Sequence, residues 1–457
     1  MRGTATDPAS APDLSLAEVG RQLREGRLSA RALTEAHLDR IAARDPEIGA
    51  FVRVCGPRAR ALAARADAEL AAGRDRGPLH GIPFAIKDLF DTEGVVTTYG
   101  SRRHATHVPD TDAELVARAL EAGAVPLGKL ATYEYALTGP SFDGSHRPPR
   151  NPRNLAHVTG GSSSGSAAAV AAALVRFALG TDTGGSVRSP ACYCGVVGLK
   201  PSFGALPIVG AHPLAPSLDH AGVIAATVED AACAFEVLAG GRHGPNPDAD
   251  HGARDTLAGL RIGYACSWFA EDEALVPELL VAMDAAVSRL TLLGAKATLI
   301  DLPDAAAIEN LGKRLLHAEA FATHRDALAG GARGYGRQAR ETLQAGNGIT
   351  EAERTEALAA AAELRAALDE SALAAHDALV TITTLTPAPP FDAFDGDRAL
   401  WTPMRTLAFN LTGHPALTLP IDPVSGLPAG MQLVGRHGDE RTICRIGAVF
   451  ERATLPP

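Results

Sequence analysis

Two serines, Ser162 and Ser186, are the residues of this chain best placed to do chemistry. Each closes a Gly-Gly-Ser triplet, and the two serines are 24 residues apart. Glycine pairs adopt backbone conformations that other residues avoid, so we expect each hydroxyl to lie in a tight turn. A serine held in this way is suited to nucleophilic attack, but its hydroxyl is a weak nucleophile and needs a base.

The first triplet lies in a longer Gly/Ser run, residues 160–166, which admits other interpretations. A flexible linker has this composition, but a linker would not lead directly into the apolar, Ala-rich residues 167–174, which are typical of a buried helix. Neither of the common phosphate-binding glycine patterns is present. Residues 161–165 do match the nucleophile-elbow pattern with Ser163 at its centre, and that alternative stays open.

The base is not evident from residue types alone. Histidine is the usual partner of a serine, but neither His157 nor His414 has an evident acidic neighbour to orient it. A lysine acts as a base only when it is neutral, which requires desolvation or nearby positive charge. Lys87 follows the apolar residues 84–86, so its burial is plausible.

Five blocks of sequence, in a consistent order, resemble the amidase signature family of serine hydrolases. They span most of the chain and include Gly-Ile-Pro-Phe-Ala-Ile-Lys-Asp and both Gly-Gly-Ser triplets. The blocks are residues 81–88, 151–154, 157–202, 410–416 and 426–432. The resemblance implies a triad in which Ser186 is the nucleophile, Ser162 a bridging serine preceded by a cis peptide, and Lys87 the base.

The same resemblance implies roles for the residues of the loop around the second serine. Backbone N–H groups of Thr183, Gly184, Gly185 and Ser186 are the implied oxyanion hole. Preorganised donors of this kind stabilise the negative oxygen that forms on attack. Two residues that flank this loop, Asp182 and Arg188, are expected to support it through charge-assisted hydrogen bonds. Ser163 either hydrogen-bonds within the triad or is a plain turn residue.

Other residues near the blocks have less certain roles. Tyr133 and Tyr135 border the substrate cleft by resemblance, although they are equally consistent with core aromatics. The family usually has glycine where this chain has Ser164, which would be strained if the position needs a positive φ. No metal or organic cofactor is implied: Cys192 and Cys194 lack a second cysteine pair.

The elements that position these residues alternate between short apolar runs and helical patterns. Such alternation predicts the α/β class, with a large central mixed β-sheet covered by helices on both faces. We expect a single domain over 1–457, in which 1–74 form an N-terminal helical layer, 75–235 the catalytic core, and 259–457 complete the sheet and substrate cleft. Within it, a helix from residue 29 should stop at Asp45-Pro46, and residues 240–259 should be a surface connection.

Composition limits the kinds of binding partner and the cellular location that we expect. The chain of 457 residues has a formal net charge of −10 and no block of Lys or Arg, which argues against nucleic acid or an anionic membrane as its partner. No apolar run reaches membrane-spanning length, and the six cysteines are irregularly spaced. We therefore expect a soluble cytoplasmic protein, a monomer or a homodimer, that acts on a small molecule.

The predicted function is an amidase-type hydrolase that cleaves the C–N acyl bond of small neutral amides, anilides or carbamates, urethanase activity included. The alternative is a glutamine-hydrolysing subunit of a tRNA-dependent amidotransferase, which the resembling family also contains. A catalytically silent binding module is a third possibility, which the intact Lys87, Ser162 and Ser186 disfavour.

Overall fold

A mixed sheet of eleven strands forms the framework of residues 9–137, 139–240, 256–394 and 402–454, the part of the chain that the computed structural model describes. The strand order is β1-β3-β2-β6-β8-β7-β12-β13-β11-β9-β10, and β4 and β5 pair separately. The strands are β1 (Phe51–Val54), β2 (Pro83–Lys87), β3 (Val125–Leu130), β4 (Arg150–Asn151), β5 (Asn154–Val158), β6 (Phe177–Asp182), β7 (Val197–Lys200), β8 (His220–Ala225), β9 (Arg261–Tyr264), β10 (Lys296–Leu299), β11 (Ala378–Ile382), β12 (Ala416–Val424) and β13 (Leu427–Val434).

The helices of the described chain surround this sheet. They are α1 (Leu16–Arg24), α2 (Ala30–Ile48), α3 (Gly56–Ala71), α4 (Glu114–Glu121), α5 (Ser164–Ala171), α6 (Arg188–Cys194), α7 (Val228–Leu238), α8 (Pro277–Leu292), α9 (Ala305–Ala329), α10 (Arg337–Gln344), α11 (Glu351–Ala367), α12 (Leu373–Ala375), α13 (Ala408–Leu411) and α14 (Glu440–Thr454). A π-helical turn, Leu368–Ala372, joins α11 to α12. None of the described helices is both long and apolar enough to cross a membrane.

Three neighbouring parallel strands bring the functional residues to one edge of the sheet. Strand β2 pairs in parallel with β3 on one side and with β6 on the other. Because parallel strands end at the same edge, Lys87 at the end of β2 and Asp182 at the end of β6 lie at the same edge of the sheet. Crevices beyond the carboxyl ends of strands are where open α/β sheets hold their ligands.

The central strands are buried on both faces, which confirms the predicted fold class. Every residue of β6 and of β8 is buried, so these strands show no alternation between a core side and a solvent side. Strands with this pattern must be covered by other elements above and below the sheet. Helix α5 packs against β2, β3, β6 and β8, while α7 and α14 pack against β8 and β12 respectively.

The N-terminal segment differs from its prediction in two ways. It is not entirely helical, because β1 adds to the sheet edge in antiparallel pairing with β3. Helix α2 does not stop at Asp45-Pro46 but continues to Ile48, since a proline in the last turn removes only one helical hydrogen bond. The Asp45 carboxylate instead accepts the backbone N–H groups of Ala50 and Phe51, just beyond the helix.

Elsewhere the sequence patterns predict where helices and strands lie, but they predict the first and last residues less accurately. The Ala-rich helix, expected over 167–174, is α5 and begins earlier, at Ser164. Strands β9 and β10 are parallel and flank α8 in the chain, so the three elements form a β-α-β unit. Most of the surface connection predicted at 240–259 lies outside the described residues.

Candidate active site

Lys87 and Ser162 are in direct contact. Lys87 Nζ lies 2.8 Å from Ser162 Oγ and 2.7 Å from Thr181 Oγ1. Strand β2 supplies the lysine, the turn before α5 supplies Ser162, and β6 supplies Thr181. The structure thus brings together two of the three predicted triad residues, which are 75 positions apart in the sequence.

The environment of Lys87 favours its neutral form. The Lys87 side chain is completely buried, and Phe84 and Ile86, which precede it on β2, are buried as well. Burial lowers the pKa of Lys87 to about 7, against the opposing effect of the negative charges of Asp182 and Asp219. Its two nearest polar partners are hydroxyls, which leave the amine free to exchange a proton with Ser162.

The first Gly-Gly-Ser turn places its serine in the interior of the protein. The Gly161–Ser162 peptide is cis, as the resemblance implied, and Ser162 is only 1% exposed. A Cβ at Gly161 would come within 2.3 Å of the Tyr133 ring, so only glycine fits beneath that ring. The turn therefore aims the Ser162 hydroxyl inward, toward Lys87.

The Ser163 side chain is engaged with the backbone of β6, which argues against the nucleophile-elbow alternative. Its side chain is fully buried, and its hydroxyl donates to the Thr181 carbonyl at 3.2 Å and accepts the Thr181 N–H at 3.3 Å. These bonds hold the residue that contacts Lys87. The Ser163 N–H also donates to the Ser186 carbonyl at 3.2 Å, which ties the two Gly-Gly-Ser turns together.

Ser186 is the serine that faces the open space. It is partly exposed, whereas its neighbours from Thr181 to Gly185 and from Val187 to Pro190 are buried. It lines a cleft whose free space, counted to its open mouth, is about 650 Å³.

A buried ion pair holds the loop that carries Ser186. Both side chains of the pair are fully buried, and Arg188 Nη2 lies 2.8 Å from Asp182 Oδ1 while Nε lies 3.0 Å from Oδ2. Burial works to raise the pKa of the Asp182 carboxyl, but Arg188, Lys200 and Asn410 hold it well below its ordinary range. The carboxylate is therefore charged at any working pH, and the predicted support by these two residues matches this geometry.

The backbone donors of this loop differ in one respect from the expectation. The Gly185 N–H donates to Asp182 Oδ1 at 2.8 Å, so this member of the predicted oxyanion hole already has a protein acceptor. Among the described residues, the N–H groups of Thr183, Gly184 and Ser186 donate to no protein acceptor. Gly185 still has a steric role, because its φ is +130° and a Cβ there would meet Thr406 Oγ1 at 2.3 Å.

Three residues of the C-terminal half complete the support of the loop, and sequence reasoning gave them no role. Asn410 donates to the carbonyl and the carboxylate of Asp182. Gln432 accepts from Arg188 Nη1 at 2.6 Å, and Thr406 donates to the Gly184 carbonyl at 2.6 Å. Asn410 and Gln432 belong to the blocks 410–416 and 426–432, so the sequence marked both residues. It did not show that they contact Asp182 and Arg188.

Asp219 is a further residue that sequence reasoning missed. Its carboxylate, 8% exposed, accepts the Thr183 hydroxyl at 2.6 Å and the N–H groups of Leu214 and Ala215. No motif pointed to it, because a single acidic residue in a loop carries no pattern.

The cleft walls are apolar or neutral. Among the described lining residues there is no Lys, Arg, Asp or Glu. The lining consists of Tyr133, Ala136, Leu137, Gly139, Val158, Gly160, Gly161, Thr183, Gly184, Gly185, Ser186, Leu214, Leu316, His317, Thr342, Phe394, Thr402 and Met404. A surface of this kind binds by burial of apolar area, at about 25 cal/mol per Å².

The two predicted substrate-binding tyrosines lie in different environments. Tyr133 lines the cleft beside the first turn. Tyr135 is fully buried in a cluster of rings, with His324 at 4.5 Å and Tyr335 at 5.2 Å between ring centroids, and it is not among the cleft-lining residues. A 3₁₀ turn over Glu134–Ala136 begins just after Tyr133 and contains Tyr135, so the two side chains point to different places.

The structure also bears on three smaller points raised by the sequence: Ser164, His414 and metal binding. Ser164 opens α5 and is not among the residues with positive φ, so it is unstrained, and its hydroxyl donates to the Ala131 carbonyl. His414 does have an acidic neighbour, with Nε2 at 2.9 Å from Asp369, but His414 does not line the cleft. Within the described residues, no group of three or more His, Cys, Asp or Glu could hold a metal ion.

Comparisons with known proteins agree with this geometry. The model of the family described as Amidase matches residues 32–444. A curated relative from Roseiflexus sp. (strain RS-1), named as a subunit of glutamyl-tRNA(Gln) amidotransferase, is 37% identical over 96% of each chain. Two solved structures superimpose closely. One is an amidase crystal structure with a TM-score of 0.86, 34% identity, and coverage of 96% of this chain and 100% of that one. The other is native peptide amidase from Stenotrophomonas maltophilia, with a TM-score of 0.81, 31% identity and 98% of each chain covered.

Proposed function

The chain belongs to the amidase family of C–N hydrolases, the amidase signature enzymes, and from that premise we propose that it cleaves small neutral amides through an acyl-enzyme on Ser186. The observation that carries the proposal is the contact of a buried Lys87 with Ser162, in a turn that is hydrogen-bonded to the Ser186 backbone. Neutral lysine, relay serine and partly exposed serine are the three parts that this chemistry needs.

Acylation begins with neutral Lys87. Lys87 takes the proton of Ser162 as Ser162 takes the proton of Ser186, and Ser186 Oγ attacks the substrate carbonyl. The N–H groups of Thr183, Gly184 and Ser186 stabilise the oxyanion. The proton then returns from Lys87 through Ser162 to the leaving nitrogen, the C–N bond breaks, and an amine departs.

Deacylation uses the same groups in reverse. Water attacks the ester carbon, its proton passes through the relay to Lys87, and Ser186 recovers its proton as the acid is released. In this scheme Asp182 and Arg188 act indirectly, since they hold the loop that carries the nucleophile and the oxyanion donors. The scheme draws only on side chains and backbone groups of this chain.

The walls of the cleft support a neutral, largely apolar substrate. A carboxylate on the substrate would call for an arginine or lysine to pair with it, and the described lining has neither. Amides, anilides and carbamates all present a carbonyl with a nitrogen leaving group, so urethane cleavage is included in the proposal. We extend the proposal to a single domain over 1–457, acting as a monomer or a homodimer.

A second candidate, a glutamine-hydrolysing component of a tRNA-dependent amidotransferase, is favoured by the name of the curated relative at 37% identity. Glutamine carries an α-carboxylate and an α-ammonium, and each would need a charged or strongly polar partner. The neutral lining is the reason that we place this candidate second.

Specificity constants separate the two candidates. We expect kcat/KM for a neutral aryl amide or aryl carbamate to exceed that for glutamine by at least about tenfold, or about 1.4 kcal/mol in transition-state binding. The assay should be run on the chain alone and with the other components of an amidotransferase added. A tenfold preference for glutamine in either case would reject the neutral-substrate assignment and favour the second candidate.

A further inference from the structure

The turn at residues 214–219 connects the wall of the cleft to the oxyanion loop through one carboxylate. Asp219 Oδ1 accepts the Thr183 hydroxyl at 2.6 Å, and Oδ2 accepts the Leu214 N–H at 2.9 Å. The Ala215 N–H lies 3.2 and 3.1 Å from the two carboxylate oxygens. Thr183 supplies one of the three free N–H donors, and Leu214 lines the cleft, so Asp219 joins the two surfaces that a substrate would touch.

The carboxylate is held without a cation. Its four hydrogen bonds come from one hydroxyl and two backbone N–H groups, and it makes no ion pair among the described residues. This contrasts with Asp182, which is paired with Arg188. An uncompensated buried carboxylate acts over a longer distance than a paired one, because no neighbouring positive charge cancels its field.

The charged and titratable groups around this site are few. Lys87 on β2 contacts the hydroxyl of Thr181, two residues before the Thr183 that Asp219 holds, and the charges of Asp182 and Asp219 both act to raise its pKa. On the other side, Glu319 of α9 accepts the Ser217 N–H at 2.9 Å and pairs with Arg354 of α11. His220, next in the chain, is buried, and burial lowers its pKa well below the ordinary value, so it is neutral.

We propose that Asp219 is a positioning residue with two effects: it fixes the Thr183 end of the oxyanion loop against the cleft wall, and its charge acts on Lys87 to set the pH at which the relay works. This inference rests on the proposed function. Burial raises the pKa of Asp219 to about 6, below the value of about 7 for Lys87, so the carboxylate is mostly charged at the pH at which Lys87 is half neutral.

The sign of the second effect follows from the charges. A negative Asp219 favours the protonated form of Lys87 and raises the lysine pKa. Without that charge, Lys87 becomes neutral at a lower pH. The acid limb of the pH profile should therefore move to lower pH when Asp219 is neutralised, although the rate itself falls because the loop is held less well.

Two variants separate the two effects. Asp219→Asn removes the charge, and its amide N–H₂ faces one of the backbone donors. Thr183→Val removes the hydroxyl that Asp219 holds and keeps the charge. The matched control is Asp45→Asn: Asp45 is also a buried carboxylate that accepts two backbone N–H groups, at 2.7 and 3.1 Å, but it lies at the end of α2.

The readout is the rate at which a fluorophosphonate probe modifies Ser186, measured from pH 5 to 9 by mass spectrometry. We expect Asp219→Asn to label about tenfold more slowly with its acid limb shifted down by about 0.5 unit, less than an opposite charge in contact produces. Thr183→Val should label about tenfold more slowly with no downward shift. Asp45→Asn should match the wild type.

An unshifted acid limb in Asp219→Asn overturns the electrostatic effect, and a wild-type rate in Thr183→Val overturns the positioning effect. If Asp219→Asn does not fold, the Thr183→Val rate alone decides whether the contact between the loop and the wall matters. Absence of labelling on Ser186 in the wild type would instead reject the proposed function, so the two failures are distinguishable.

Discussion

The two Gly-Gly-Ser turns share a tripeptide and have opposite surroundings. Ser162 is 1% exposed and faces the amine of Lys87. Ser186 is partly exposed and faces the cleft. In each turn the second glycine allows a close approach that no side chain would permit, to the Tyr133 ring at Gly161 and to Thr406 at Gly185.

This difference shows how burial can suit two identical hydroxyls to different roles. A hydroxyl sealed against a neutral amine can pass a proton but cannot reach a substrate. A hydroxyl at the cleft can reach a substrate but, among the described residues, is hydrogen-bonded to no basic side chain. The contact between the Ser163 N–H and the Ser186 carbonyl joins the two halves into one site.

The sharpest test of this division is to delete each hydroxyl in turn. We expect Ser186→Ala to lose about 10³–10⁶-fold in kcat/KM and to form no adduct with a fluorophosphonate. Ser162→Ala should lose about 10²–10⁴-fold, the usual contribution of proton transfer, and should still be labelled slowly on Ser186. An adduct on Ser162 or Ser163 in the Ser186→Ala variant would reverse the roles.

Two buried lysines extend the comparison, with a smaller expected effect on activity. Lys87 contacts hydroxyls, whereas Lys129 on β3 lies 3.3 Å from the Asp88 carboxylate and 2.6 Å from the Phe90 carbonyl. Lys87→Met should lose about 10²–10⁴-fold in kcat and keep its fold. Lys129→Met should keep most of its turnover per folded molecule and lose about 3–5 kcal/mol of unfolding free energy, because Asp88 is left as a lone buried charge.

Denaturant unfolding and kinetics on the same two preparations check this pair of expectations. Equal losses of turnover in Lys87→Met and Lys129→Met would show that the buried amine of Lys87 has no special role.

The smallest effect concerns pH. Because burial lowers the pKa of Lys87 from 10.5 to about 7, its neutral fraction rises from about one-tenth at pH 6 to about nine-tenths at pH 8. The rate of acylation should rise about tenfold over that interval and then level off. A rate that falls between pH 6 and pH 8 would point to a group that acts as an acid in the first step.

The sequence by itself determined the fold class and named the residues of the proposed triad. Both depend on local information: alternating apolar runs for the sheet, glycine pairs for the turns, and blocks of residues whose order matches a known family. Lys87, Ser162 and Ser186 could be named because each lies in such a block. Element bounds were less certain, since Pro46 near a helix end and Phe51–Val54 at a sheet edge depend on neighbours elsewhere.

Only the tertiary structure decided how the hydrogen-bonding groups are used. The Gly185 N–H is occupied by Asp182, Tyr135 is buried away from the cleft, and Asp219 joins Thr183 to Leu214. Asn410 and Asp182 are 228 positions apart and in contact. A backbone donor or a carboxylate has the same letter in the sequence whether it is free or engaged. Its availability depends on the distances and angles that strand order and loop packing create, and no local pattern records them.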